Sequence, residues 1–266
     1  MKAEEVCALA LEVVRDGPEA VAAFLGQCPP GSVCTTNAVV QRDVEVIAAG
    51  VHLAEEAGAT ILARTGASYV QARAGLPNRP PLEAADLPTR GEAGGLVVVG
   101  SHVPKTTAQL AVLLEHTPDW LQVEVAVPML LDERRDSYLQ SMASEIATAI
   151  ASGRNVVLST SRELVLGSDD AANLDISARV SSALVEIVQA VPRPRFLIGK
   201  GGITSSDLAT RALGVTRATV LGAVVAGIPV WQLGEEARFP GLTYVSFPGN
   251  TGGDDALWLA VQKLTT

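Results

Sequence analysis

The stretch Phe196–Gly214, FLIGKGGITSSDLATRALG, decides the fold. It opens as an apolar run of strand length. It then passes three glycines within four residues (Gly199, Gly201 and Gly202), turns to hydroxyl residues, and continues as a helix with Gly214 as its stop. A strand that runs into a helix through glycines is the βα unit of a parallel sheet. Without Cβ atoms, successive N–H groups can turn into one concavity at the mouth of the helix, a place that binds phosphate. The same residues also suit a tight βα turn whose glycines serve packing alone. The spacings GxxxxGK[ST] and GxGxxG are both absent, so this is neither a Walker loop nor the dinucleotide fingerprint. Lys200 adds charge only if its side chain faces the concavity.

The pattern repeats outward from there. GGLVVVGS, LQVEVAV, RNVVLSTS, ATVLGAVV, IPVWQLG and LTYVSFPGN read as strands. TTAQLAVLLEH, the long run Asp132–Ser152, LDISARVSSALVEIVQAV and GDDALWLAVQKL read as helices. Continuous apolar strands alternating with helices predict an α/β fold, with a mostly parallel sheet and flanking helices in a carboxyl-terminal domain over 96–266. A proline-rich stretch, Ala74–Gly95, reads as an extended connection, with the linker at 81–95. Before it, residues 1–80 form a small partial α/β domain. EEVCALALEVVRDG reads as a helix, SVCTTN as a strand, RDVEVIAAGVHLAEEAG as a helix and ATILART as a strand.

In such a sheet, ligands bind beyond the carboxyl ends of the strands. Two further strand ends carry suitable residues. GSHVPKTTAQL places a Gly-Ser turn at Gly100-Ser101, with Thr106 or Thr107 as a cap for the next helix. It is either a ligand contact through Ser101 or an ordinary capped turn. His102 beside it reads as a surface residue. FPGNTGGDDALWLA offers a second N–H cradle through Gly249, Gly252 and Gly253. Asp254 and Asp255 then fall in a first helical turn, where acids complement the helix dipole. Their other reading is a Mg²⁺ contact or a catalytic base. Three such strand ends fit one polyphosphate better than three unrelated turns.

Composition bounds the function. The chain has 266 residues, 48% hydrophobic and 18% charged, with a formal net charge of −9. That supports a real core and argues against nucleic acid or an anionic membrane as partner. Cys7, Cys28 and Cys34 form no CxxC, and the histidines His52, His102 and His116 have no ligand spacing with them, so free thiols are expected and no metal site is assigned. With no signal peptide and no membrane span in view, the expectation is a cytoplasmic protein.

GSHVPKTTAQL, KGGITSSDLATRALGV and FPGNTGGDDAL, taken together, resemble the nucleotide-binding half of the four-carbon acid sugar kinase family. ARTGASYVQARAGL, Ala63–Leu76, resembles the segment that closes that family's substrate domain. The resemblance implies ATP-dependent phosphorylation of a four-carbon sugar acid (threonate, erythronate or oxo-tetronate class) with Mg²⁺. It assigns nucleotide binding to Ser101, Lys200, Gly201, Gly202, Ile203, Thr204, Gly249, Asn250 and Gly252. It assigns the substrate motif to Arg64, Thr65 and Ser68. The chain departs from the family at Ile203, where many relatives carry Glu. It also departs in the absence of an Asp-Asp-x-Thr-Gly-Ala-like opening motif. The expectation is therefore a chain supplying mainly the ATP-binding part, with a separate chain for the amino-terminal half and a homodimer as partners. Asp254 and Asp255 are outside candidates for catalysis. A non-catalytic nucleotide-binding module derived from such a kinase is the alternative, and a lyase or isomerase of phosphorylated sugars a more distant one.

Overall fold

The computed structural model describes residues 6–89, 91–163 and 165–266. The chain divides into two compact units, Met1–Arg79 and Pro80–Thr266.

The first unit holds a two-stranded parallel sheet, β1 (Val6–Leu9) and β2 (Val33–Thr36), in the register Cys7 opposite Cys34. Around it lie α1 (Leu11–Arg15), α2 (Pro18–Gln27), α3 (Gln41–Glu56) and α4 (Ala67–Arg73). Its buried apolar residues are few: Leu9, Val14, Val21, Ile47, Ala48, Val51 and Ala54. Buried Asp43 ties down the start of α3 by accepting from Val39 and Val40 N–H at 2.9 and 3.1 Å. Those bonds hold its carboxyl below the usual range. The three cysteines are free thiols.

Two expectations fail in this unit. Val6–Leu9, expected inside a helix, is a strand, because the apolar run has no 3.6-residue phase and finds a partner in β2. Glu4 and Glu5, at the start of that expected helix, lie outside the described residues. Residues 59–65, expected as a strand, have no regular structure, and Leu62 is 98% exposed. A strand needs a hydrogen-bonding neighbour, and none pairs with this segment among the described residues.

The second unit is built on a seven-stranded sheet. Its strands are β3 (Leu96–Val99), β4 (Leu121–Val125), β5 (Val156–Thr160), β6 (Phe196–Lys200), β7 (Ala218–Val225), β8 (Ile228–Leu233) and β9 (Thr243–Phe247). The spatial order is β4-β5-β3-β6-β9-β8-β7. The pairs from β4 to β9 are parallel, and the β9-β8-β7 edge is antiparallel. β3, β5 and β6 are buried at every position, which is why they read as unbroken apolar runs.

Alternate side chains of these strands feed two cores. Leu96, Val98, Leu158, Leu197 and Tyr244 face one layer with α6 (Arg135–Ala151) and α7 (Asp170–Ala190). Val97, Val99, Val157, Ile198 and Phe247 face the other, with α5 (Pro104–His116) and α9 (Ala256–Thr265). The short α8 (Gly202–Asp207) continues into a π-helical turn, Leu208–Ala212, on the α7 side.

The stretch 81–95 is not a free connection. Leu82 N–H donates to Ala223 O at 2.7 Å, Lys263 Nζ donates to Leu82 O at 2.7 Å, and Leu87 is buried in the α5–α9 core. Three apolar side chains among the prolines (Leu82, Leu87 and Ala93) find the sheet and hold the segment on it. Among the described residues, no helix is long and apolar enough to cross a membrane.

Candidate nucleotide site

The helix after β3 packs on one face of the sheet and the helix after β6 on the other. β3 and β6 stay paired to Val99 and Lys200, and the connections that follow them leave to opposite faces, which opens a crevice beyond their carboxyl ends, the place where open α/β sheets bind ligands.

Close approach shapes this crevice. A Cβ on Gly100 would stand 2.3 Å from Thr204 Oγ1 and 2.9 Å from Leu184 Cδ1. Only glycine lets the end of β3 lie against the first turn of α8. Gly201 caps α8 at φ +123°, a conformation that side chains avoid, and no side chain caps the helix. The N–H groups of Gly202, Ile203 and Thr204 therefore open the helix without intrahelical acceptors. Gly202 is exposed, and a Cβ there would meet nothing within 4 Å.

Ser101 stands between the two glycine loops. A Cβ on Gly201 would lie 3.0 Å from Ser101 Cβ, and one on Gly249 3.1 Å from Ser101 Oγ. The ends of β3, β6 and β9 thus converge on one serine. Beside it opens a cavity of about 450 Å³, lined by Gly100, Ser101, Gly201–Thr204 and the apolar side chains Leu166, Ile176, Val180 and Leu184. A larger open groove, about 800 Å³, runs along α6 between Ser137 and Arg154 and includes none of these candidates.

The loop after β9 is held by side chains. Thr106 Oγ1 donates to Gly249 O at 2.8 Å, and buried Gln109 donates through Nε2 to Thr251 O at 2.9 Å and Gly253 O at 2.7 Å. Thr106 is therefore not the cap expected for α5. Val103 occupies that position, and Pro104 opens the helix. Asn250 and Gly252 are exposed at the loop tip, with Gly252 at φ +85°.

Lys200 is the clearest departure from the sequence reading. It is fully buried, and its Nζ donates to Pro248 O at 2.6 Å and Gly249 O at 3.1 Å, 4.3 Å from the centre of the Phe247 ring. Its charge lies under the loop instead of facing the concavity. Side chains alternate along a strand, and the last residue of β6 falls on the α5–α9 face with Phe196 and Ile198. Burial lowers its pKa to about 8.

Asp254 pairs with Lys105 Nζ at 2.9 Å. Asp255 sits at the N-cap of α9 without accepting a capping bond, and its Oδ1 would lie 2.7 Å from a Cβ on Gly253. Ile203 is 72% exposed at the mouth of α8. Arg64, Thr65 and Ser68 are exposed in the first unit, where Thr65 Oγ1 donates to Gly66 O at 3.4 Å and Ser68 lies on α4.

Arg162 is absent from the sequence reading. It follows β5 and donates to Ser101 O at 2.7 Å, to Thr160 O at 3.0 and 2.8 Å, and to Thr160 Oγ1 at 2.7 Å. Burial lowers its pKa. Exposed His102 contacts Ser161 O through Nε2 at 3.1 Å, and desolvation followed by the Arg162 charge lowers its pKa. An arginine two residues beyond a strand belongs to no motif, and only the fold brings it to Ser101.

A model of a nucleotide-binding C-terminal domain matches residues 96–257. No curated protein matches the sequence significantly. Three solved structures are similar in fold. A Salmonella typhimurium LT2 protein, provisionally named a tRNA synthase, superposes with a TM-score of 0.63 at 17% identity, over 96% of this chain and 59% of its own. A Haemophilus influenzae protein of the DUF1537 family gives 0.55 at 18% identity, over 97% and 60%. A Bordetella bronchiseptica DUF1537 domain, a domain-swapped dimer with bound citrate, gives 0.51 at 18% identity, over 97% and 58%. The chain thus spans about three fifths of the length of each. With the family model matching well over half of the sequence, this chain belongs to the nucleotide-binding C-terminal domain family of the four-carbon acid sugar kinases.

Proposed function

We propose that the crevice at the ends of β3, β6 and β9 binds ATP, and that the chain supplies mainly the nucleotide-binding part of a kinase acting on a four-carbon sugar acid. The observation that carries this reading is the convergence of two glycine loops on Ser101 beside a cavity of nucleoside size. In this reading, the N–H groups of Gly202, Ile203 and Thr204 and the Ser101 hydroxyl receive phosphate oxygens. Gly249, Asn250 and Gly252 close over them from the β9 side. The apolar wall from Leu166 to Leu184 takes the nucleoside. Phosphoryl transfer is mostly positioning and charge neutralisation, which backbone dipoles held in place by a rigid sheet provide without reorganisation.

Mg²⁺ would arrive with the nucleotide. Asp255, the carboxylate beside Gly253, would be the residue to contact it, since Asp254 is paired with Lys105. The divalent ion neutralises phosphate charge when bound. Arg64, Thr65 and Ser68 of the first unit would meet the sugar acid, and the working form would be a dimer. A non-catalytic nucleotide-binding module is the second reading, favoured by the engagement of Asp254 in an ion pair.

The test is calorimetric titration with ATP and Mg²⁺, on the wild type and on Gly202→Val. Open space at Gly202 lets the fold accept the side chain, while the site loses its approach. Saturable binding that weakens at least tenfold in the variant, with an unchanged melting curve, is the expected result. Equal affinity in both proteins would refute the phosphate assignment.

A further inference from the structure

A polyphosphate bound here would bring several negative charges to a site whose nearest lysines are committed elsewhere. Lys200 is directed at the carbonyls of Pro248 and Gly249, and Lys105 is paired with Asp254 at the rim. Backbone N–H groups supply dipoles, not net charge. A further cation would complete the site.

Arg162 has the properties of such a group. It is half-buried, and its hydrogen bonds all go to neutral oxygens: Thr160 O, Thr160 Oγ1 and Ser101 O. Among the described residues, no carboxylate lies within ion-pair distance of it. The Glu124 charge acts on Arg162 from beyond ion-pair distance and offsets only part of its burial, and a bound anion would offset the rest. Its position is equally specific. Nη1 is 2.7 Å from the carbonyl of Ser101, the residue on which both glycine loops converge. The bond draws the negative end of that carbonyl dipole toward the guanidinium. Of the five N–H groups, four are used and one, on Nη1, is not.

We propose that Arg162 is the cation of the phosphate site, acting on the anion held at Ser101 both by its charge and by orienting the Ser101 carbonyl. The inference rests on the nucleotide reading above and goes beyond it in naming the residue that supplies net charge. A purely structural strap between the ends of β5 and β3 is the competing role. The two differ in what a neutral donor does, because Gln can still donate to the carbonyls but carries no charge.

The experiment compares the wild type, Arg162→Gln, Arg162→Lys and Gly202→Val by calorimetry with ATP and with adenosine, at two or more salt concentrations. Arg162→Gln is expected to bind ATP at least tenfold more weakly, with a shallower dependence of log Kd on log salt and unchanged adenosine binding. Arg162→Lys is expected to recover part of the ATP affinity and the wild-type salt slope. ATP affinity and salt slope equal to wild type in Arg162→Gln would overturn the inference while leaving the nucleotide reading intact, provided Gly202→Val still weakens binding. Equal losses of ATP and adenosine would assign Arg162 the strap role and overturn it as well. Absence of ATP binding by folded wild-type protein would overturn the nucleotide reading, and this inference with it.

Discussion

The two glycine loops reach the same serine by opposite means. The turn after β6 is shaped by what is missing. Gly100 and Gly201 stand where a side chain would strike Thr204 or Ser101, so bare backbone lies directly against those residues. The loop after β9 is shaped by what is added. Thr106, Gln109 and Lys200 reach its carbonyls from two other elements and pin it from below. The first loop should resist added atoms at Gly100 and Gly201 and the second should be the more sensitive to lost hydrogen bonds. A rigid cradle and an adjustable cover can thus share one ligand.

The contrast can be broken most forcefully at Gly100. Gly100→Val drives a branched side chain into Thr204 and Leu184 and should cost about 3 kcal/mol, at the upper end for overpacking. For a unit of this size that lowers the melting temperature by roughly 10 °C, read by calorimetry. Gln109→Leu attacks the other loop. It removes both N–H bonds to the carbonyls of Thr251 and Gly253 and should cost about 2 kcal/mol. The side-chain oxygen of Gln109 has no partner among the described residues, so deleting it returns part of that loss. ATP affinity should fall severalfold in Gln109→Leu, and a melting curve beside a titration checks both effects.

Lys200→Met gives the smallest effect and the sharpest signature. Below about pH 8, the folded protein holds a buried charge that the unfolded chain leaves in water. Between about pH 8 and the ordinary lysine range, the folded state has lost its proton and the unfolded state has kept it. The Lys200 contribution therefore rises with pH, by at most about 1.4 kcal/mol per unit. Urea unfolding at pH 7 and 9 should show wild type gaining on Lys200→Met at the higher pH. A difference independent of pH would mean that Lys200 titrates normally.

These contrasts also mark what the sequence discloses. Glycines at strand ends are visible because they are rare punctuation in apolar runs, and β3, β5 and β6 are visible because burial on both faces leaves them unbroken. The first unit is harder to read. Val6–Leu9 is apolar without a period, and its assignment as a strand depends on β2, 27 positions later by its register with Val33. The stretch 59–65 looks as strand-like as any other and finds no partner. At the site, the glycines of the β6 turn are legible and the pins of the β9 loop are not. Thr106 reads as a cap, and Gln109 carries no signal of its own, until the fold brings Gly249 and Gly253 over them. The direction of Lys200 and the arrival of Arg162 at Ser101 likewise depend on strand order, which local pattern does not encode.

Ser101 and Gly249 are 148 positions apart (249 − 101), and they meet only after β3, β6 and β9 have taken their places side by side. Contacts of such long range form late, because chain closure must precede them. A partly folded chain has no crevice, and any ligand of the crevice is by linkage a ligand of the native state alone. At a hundred times its dissociation constant, such a ligand adds about 2.7 kcal/mol to the free energy of unfolding. The abundance of the intact protein, and its survival against proteases, would then follow the supply of the molecule it binds.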